Sequence, residues 1–378
     1  MRGAEETILA GGRYTVMKRT LAGLALVLMS CGPSAPSSTR TTPSTQALPG
    51  STPSVAVSPP LFTVDFSCRL PVVVGNTAGD GYEYDGGFIK FPIATYTADP
   101  AGVIRRPPAQ DVFATSASPT LKGTQQNGPP FYDSAVKRWV PANAAQSSSD
   151  GLSYAYTTGV ANRLQIHIVD ARSGVEKIYE TELETYNFVA DYDKGLVYLT
   201  GSGLGGPGIG VWAFDPASGS AHRLSVSGGV LAIRGGFAWL GRFDPRDKPP
   251  PGYHELAPIN TIVRMALATG AETVWYYHPG QYADVSGFDA RGNPVISLPS
   301  GQQSYDATEL RLVPQPATSG VVVSPGDIYL SPPQGDGDRI WFGGRNGIYL
   351  YTQSRGLVKV FNFKGNADLK MFPAGYCV

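Results

Sequence analysis

The stretch LQIHIVDARSGVEKIY, residues 164–179, holds the pattern that decides the fold. Leu164, Ile166 and Ile168 alternate with Gln165 and His167, the period of a strand with one apolar face. Asp170 to Gly174 then reads as a turn. Short Asp and Ser side chains hydrogen-bond local backbone, and glycine takes the positive φ that closes the hairpin. A second strand follows from Val175. The same unit recurs as VWAFDPASGSAHRLSV (211–226), IVRMALATGAETVWYY (262–277), LRLVPQPATSGVVV (310–323) and IYLYTQSRGLVKVF (348–361). Two weaker copies come earlier: FIKFPIATYTADPAGVI (88–104), with its turn expected at Gly102, and FYDSAVKRWV (131–140), with Lys137 where glycine is expected.

Successive turn positions lie 35, 37, 45, 51, 50 and 36 residues apart. Between the hairpins stands another recurring element, a glycine turn followed by an apolar strand: DGLSYAY (150–156), DKGLVYLT (193–200), GGFAWLG (235–241), DARGNPVISL (289–298) and GDRIWFGG (337–344). A strand plus a hairpin at this spacing is the rhythm of β-propeller blades, whereas a pair of β-sandwiches would show no fixed period. The expectation is an all-β fold, a single propeller of about seven four-stranded blades, with six or eight as alternatives. VEKIYETELETYNFVADYDK (175–194) runs without Gly or Pro, but its Thr, Tyr and Val content reads as two strands rather than a helix.

Composition agrees. The 378 residues include 46 glycines, 32 prolines and 20 tyrosines but only 16% charged residues, which favours short strands and turns. Thirty basic and thirty acidic residues cancel, which gives no electrostatic case for nucleic acid, a partner that calls for a basic surface.

The N-terminal part reads differently. Lys18 and Arg19 precede the apolar run LAGLALVLM (21–29), then Ser30 and Cys31, the layout of a secretory signal. The run is too short to span a bilayer, which takes about 20 residues. LMSC (28–31) resembles the bacterial lipobox. That resemblance implies cleavage before Cys31 and a diacylglycerol on its sulfur, with two acyl chains giving a stable membrane anchor. Residues 1–16 fit no signal peptide, and translation is expected to begin at Met17. From Pro33 to Pro60, 19 of 28 residues are Pro, Ser or Thr, a composition that stays extended or disordered and reads as a stalk. The domain reading is therefore 1–30 signal region, 31–60 lipidated cysteine and stalk, and 61–378 propeller.

With Cys31 lipidated, Cys68 and Cys377 remain, one at each end of the repeats. In an exported protein this pair is expected to form a disulfide that clasps the ring, two free thiols being the alternative. CRLPVVVG (68–75), YDSAVKRWVP (132–141), VWYYHPGQYADVSGFDARGNPVISLP (274–299), WFGGRNGIYLYT (341–352) and PAGYC (373–377) resemble a lineage of bacterial exported propellers, distantly similar to the Tol-system and WD-repeat propellers. The resemblance covers nearly all of 66–378 and implies a fold. It brings no catalytic residue.

Site chemistry is sparse. Gly201, Gly203 and Gly206 satisfy G-x-G-x-x-G, but Pro207, Gly208 and Gly210 follow and then a strand. No helix can start there to face a pyrophosphate, so no cofactor is expected. His167, His222, His254 and His278 lack zinc spacing. Asp80, Glu83 and Asp85, and Asp336 with Asp338, lack the EF-hand spacing and read as solvated turns. No metal ligand and no catalytic residue is assigned. One segment breaks the rhythm, RFDPRDKPPPGYHELAP (242–258), and its Arg246, Tyr253 and His254 are candidate binding residues on a proline-stiffened loop. The expected function is a monomeric, lipid-anchored binding module outside the cytoplasmic membrane, taking a protein, peptide or glycan partner. The alternatives are a lactonase- or lyase-type enzyme with a metal in the central channel, and a structural stabiliser of an envelope complex.

Overall fold

The computed structural model describes residues 61–76, 83–108, 112–124, 128–185, 187–201, 210–226, 229–244, 247, 259–299, 308–324, 331–365 and 369–378. Every regular element among them is a strand.

The hairpin 164–179 forms as read. β8 (Ser153–Val160), β9 (Arg163–Asp170) and β10 (Glu176–Glu184) make an antiparallel sheet, with an isolated bridge from Ser147 to Tyr154 marking its inner edge. At the turn, the Asp170 carboxylate accepts from the Ser173 N–H at 2.7 Å, and Gly174 sits at φ 74°. The other four clear hairpins also place a positive-φ glycine at the expected position. They build two four-stranded sheets and both halves of an eight-stranded one. The first joins β11 (Asn187–Asp193), β12 (Leu196–Gly201), β13 (Val211–Asp215) and β14 (Ser220–Ser225). The second joins β15 (Val230–Arg234), β16 (Phe237–Arg242), β17 (Thr261–Ala266) and β18 (Glu272–Tyr277). Then come β19 (Asp284–Phe288), β20 (Pro294–Pro299), β21 (Thr308–Leu312) and β22 (Val321–Ser324), followed by β23 (Gln334–Asp336), β24 (Arg339–Gly343), β25 (Gly347–Thr352) and β26 (Gly356–Asn362). These last two sets touch through one parallel pairing, Phe288 with Gln334, between their innermost strands. Residues 175–194 are two strands of neighbouring sheets, as their composition indicated.

The chain ends meet. β1 (Cys68–Asn76) pairs with β2 (Glu83–Phe91), which pairs with β3 (Thr95–Arg105), while the last strand, β27 (Leu369–Pro373), takes the inner position beside β1. The Arg69 N–H donates to the Val378 carbonyl at 3.1 Å, and Cys68 and Cys377 form a disulfide with Cα atoms 5.4 Å apart. Two short strands, β4 (Phe113–Thr115) and β5 (Lys122–Gly123), extend the outer edge of this sheet. The weak copy 131–140 is a lone hairpin, β6 (Phe131–Asp133) and β7 (Arg138–Val140), with Lys137 itself at φ 54°.

Seven apolar clusters among the described residues run between successive units and close the cycle. Leu70, Ile89 and Phe91 meet Trp341 and Leu350 where the last sheet returns to the first. Trp139 bridges the first sheet to the β6–β7 hairpin, and Phe131 and Val140 carry the hairpin onto Tyr154 and Val169 of the next sheet. The fold is a β-propeller with seven positions, one of them filled by a two-stranded hairpin.

One expected turn is misplaced. Gly102 lies inside β3, and the chain reverses earlier at Pro92–Ala94 after a cis Phe91–Pro92 bond. The reason is packing: a Cβ on Gly102 would fall 2.7 Å from the Gly86 Cα and 2.9 Å from the Trp139 ring. Glycine there lets an indole lie flat on the sheet.

Candidate functional site

The innermost segments of all seven positions surround one cavity of about 580 Å³. Phe131, Phe188, Leu231, Val285 and Phe288 give it a largely apolar wall, and Arg234 and Asp289 add charge. Strand direction orders this wall along the channel axis. Phe188 and Leu231 begin their strands, and Asp191 and Arg234 stand toward the opposite ends, next to the turns into β12 and β16.

At that end a second pocket of about 340 Å³ opens, sharing Phe131, Ala144, Arg234 and Tyr376 with the channel. Four carboxylates line it: Asp133, Asp150, Asp191 and Asp193. Arg234 is the sole Lys or Arg in its wall among the described residues. Each acid is placed by local structure. Asp133 ends β6, and its Oδ1 accepts from the Ala135 N–H at 2.8 Å. Gly151 makes room for it, since a Cβ there would lie 2.5 Å from that oxygen. Asp150 caps its own turn, accepting from the Leu152 N–H at 2.9 Å and the Ser148 hydroxyl at 2.6 Å. Asp191 follows a β-bulge between Val189 and Asp191 that interrupts the apolar alternation of β11, the kind of irregularity that re-aims a side chain.

Asp191 is the unusual group. Its side chain is 4% exposed, the Arg234 Nη1 stands 3.8 Å from Oδ1, and Oδ2 has no hydrogen-bond partner. Burial, reinforced by Asp193 and only partly offset by Arg234 and the backbone N–H groups of Gly235 and Tyr192, pushes its pKa up to about 6. Burial also raises Asp133, against backbone hydrogen bonds that lower it. Asp150 moves the other way, held down by the Ser148 hydroxyl. Buried carboxylates with raised pKa values in a cleft make the pocket a candidate site, because burial of this kind sets proton affinity where chemistry or binding uses it.

A second polar constellation spans the three strands of the β8–β10 sheet. The imidazole Nε2 of His167 is 2.7 Å from the Thr158 hydroxyl, and its Nδ1 is 2.9 Å from Glu176 Oε1, which also accepts from the Tyr156 hydroxyl. The His167 ring stacks on Tyr156 at 4.3 Å, and burial lowers its pKa. The three strands satisfy a buried imidazole with these bonds, so the arrangement reads as a structural ladder.

Of the residues singled out from the sequence, Cys68 and Cys377 are joined. Cys31, Arg246, Tyr253 and His254 lie outside the described residues, as do residues 202–209 of the glycine-rich segment. Within the candidate loop, the Asp247 carboxylate accepts from the Tyr277 hydroxyl at 2.8 Å and the Asn260 amide at 2.7 Å. The strand ends joined by 243–260 face away from the Gly235 turn, so the loop's anchors and the acidic pocket belong to opposite faces. Among the described residues, no three His, Cys, Asp or Glu side chains form a metal-binding group. The residues missed from the sequence are Asp133, Asp150, Asp191, Asp193 and Arg234. A visible signal existed for one of them: Asp191 interrupts an apolar inner strand, NFVADYD, where a charge needs a reason.

The sequence matches no protein-family model and no curated protein. Among solved structures, TolB from Acinetobacter baumannii is similar at TM-score 0.39 and 14% identity, over 82% of this chain and 64% of that one. Regucalcin, a calcium-binding protein from Agrobacterium tumefaciens, follows at TM-score 0.33 and 12% identity, over 57% and 75%. Lignostilbene dioxygenase from Pseudomonas brassicacearum gives 0.28 and 10%, over 80% and 61%. This chain thus spans less than two thirds of the TolB chain, and the propeller assignment rests on the strand order and ring closure described above.

Proposed function

We propose that this chain is an exported, lipid-anchored propeller that acts as a binding module for a protein, peptide or glycan, with the central channel and its acidic mouth as the binding surface. The observation that carries the reading is the channel itself: a cavity of about 580 Å³ with a mixed apolar and polar lining, sharing four wall residues with a pocket of carboxylates. Ligand sites combine an apolar wall with a few placed polar groups in this way. Export is supported by the basic start, the apolar run and Ser30-Cys31, and by a disulfide that requires an oxidising compartment. Cys31 supplies the anchor and residues 33–60 the reach. The loop at 242–258, with Arg246, Tyr253 and His254, is a further candidate contact.

The test compares partner capture from envelope extract by the wild-type domain and by Ala232→Trp, which fills the channel. Loss of the captured partner in the variant, with the melting temperature preserved, supports the channel as the binding surface. Unchanged capture would move binding elsewhere, and replacement of residues 246–255 would then separate the loop from the rest. Cys31→Ala is expected to remove the acyl mass and release the protein from the membrane.

A further inference from the structure

The acidic mouth of the channel has a chemistry the general binding reading does not specify. Asp133, Asp150, Asp191 and Asp193 stand against a single Arg234 among the described wall residues, leaving the pocket net negative. Acidic residues alone make no site, but Asp191 adds an independent observation. It is only 2% exposed, forms part of the wall, and leaves Oδ2 without a partner where a buried carboxylate oxygen ordinarily has one. Arg234 stands too far from Oδ1, at 3.8 Å, to satisfy it as a close ion pair. The missing partner is a hydrogen-bond donor, and the surrounding charge asks for a cationic one.

Two features narrow the class. The carboxylates do not gather into a metal-binding group of three, so the cation they suit spreads its N–H donors over several acids. Phe131, Tyr192 and Tyr376 also line the pocket, and Phe131 and Tyr376 continue into the apolar channel. A hydrocarbon stem can lie on such rings while its charged head meets the carboxylates. We infer that the pocket receives an ammonium or guanidinium group carried on an apolar stem. This rests on the reading of the channel mouth as a binding surface and names the chemistry of its ligand. A Lys or Arg side chain of a peptide and a free polyamine share that chemistry.

The experiment uses the full exported domain with its disulfide intact and measures binding by calorimetry. The probes are acetyl-Ala-X-Ala-amide peptides with X as Lys, Arg, norleucine or Glu, together with spermidine and calcium. The Lys and Arg peptides are expected to bind and the norleucine and Glu peptides not to. Asp191→Asn should weaken binding by about tenfold or more, the range for a charge-assisted hydrogen bond. Asp150→Asn and Asp193→Asn, on more exposed residues, keep the test open if the buried change disturbs folding, and each should weaken binding about two- to fivefold. Affinity should also fall as pH drops through about 6, where Asp191 takes up a proton. The charged or titratable neighbours of Asp191 are Arg234, Asp193 and Tyr198. Of these, Tyr198 stays neutral across that range, because burial raises its pKa above the ordinary phenol value. Spermidine binding with peptides inert would assign the free amine as the source. Equal binding of the norleucine peptide, calcium bound in place of the amines, or no binding of any cation would overturn the proposal. Partner capture separates the two readings. Loss in Ala232→Trp but not in Asp191→Asn would reject the cation site alone, whereas capture by both variants would reject the channel.

Discussion

Asp191 shows how a buried carboxylate is held at the expense of stability. Its folded pKa of about 6 lies above the ordinary 3.8, so the folded protein binds its proton more tightly than the unfolded chain. The group therefore favours folding below about pH 4, and that contribution is lost as pH rises through 6. Asp191→Asn should stabilise the protein at pH 7.5 by up to about 3 kcal/mol, since each tenfold difference in proton affinity is worth about 1.4 kcal/mol. The gain should vanish near pH 4. Urea melts of both proteins at the two pH values check this, and a variant less stable at pH 7.5 would contradict it. His167 acts in the opposite sense. Burial lowers its pKa from 6.5, so its contribution is present above pH 6.5 and fades as pH falls below it. Turn residues give a second comparison. Gly174→Ala should cost about 1–2 kcal/mol, because φ 74° disfavours any Cβ and this one would lie 2.8 Å from Thr120 Oγ1. Lys137 already occupies φ 54°, so Lys137→Gly should be neutral or stabilise by less than about 1 kcal/mol. Thermal melts of the two variants should move in unlike directions or by clearly unlike amounts.

Among the elements, the β6–β7 hairpin fills a propeller position with two strands where the other positions draw on larger sheets. It succeeds because Trp139 does much of the packing. The ring meets Phe88 at 5.7 Å and Tyr132 at 5.2 Å, lies on Gly86 and Gly102, and donates through Nε1 to Asp99 Oδ2 at 2.9 Å. Trp139→Ala should cost about 3–5 kcal/mol, and chemical denaturation measures it. A loss below about 1 kcal/mol would mean the hairpin is held by something else. Legibility in the sequence follows the same division. Hairpins such as 164–179 and 262–277 were readable because alternation, a turn acid or hydroxyl, and glycine all agree locally. Gly102 misled because glycine serves two ends, positive φ and close approach, and only the second applies there. The acidic pocket was not readable. Asp133, Asp150, the Asp191–Asp193 pair on β11, and Arg234 come from four successive positions of the ring, and nothing in their local spacing reports that the ring gathers them.

For the molecule as a whole, closure rests on β27 beside β1 and on the Cys68–Cys377 bond, which spans 309 residues. Replacing both cysteines with serine should destabilise the domain by about 2–5 kcal/mol, within the roughly 5–6 kcal/mol chain-entropy figure for so long a loop. Denaturant titration of the variant tests this, and an unchanged midpoint would make β-pairing alone sufficient to close the ring. Ring architecture was legible because it repeats along the chain, and the clasp because the cysteines bracket the repeats. The proposed function, in turn, takes the channel through this ring as the binding surface. The direct measurement is site-specific photocrosslinking in the envelope, with benzoylphenylalanine at Phe288 in the channel wall or at Ile93, 71% exposed on the β2–β3 turn. A discrete crosslinked adduct from position 288, weakened by Asp191→Asn and absent from position 93, is the predicted result. An adduct from position 93 with none from position 288 would contradict the claim.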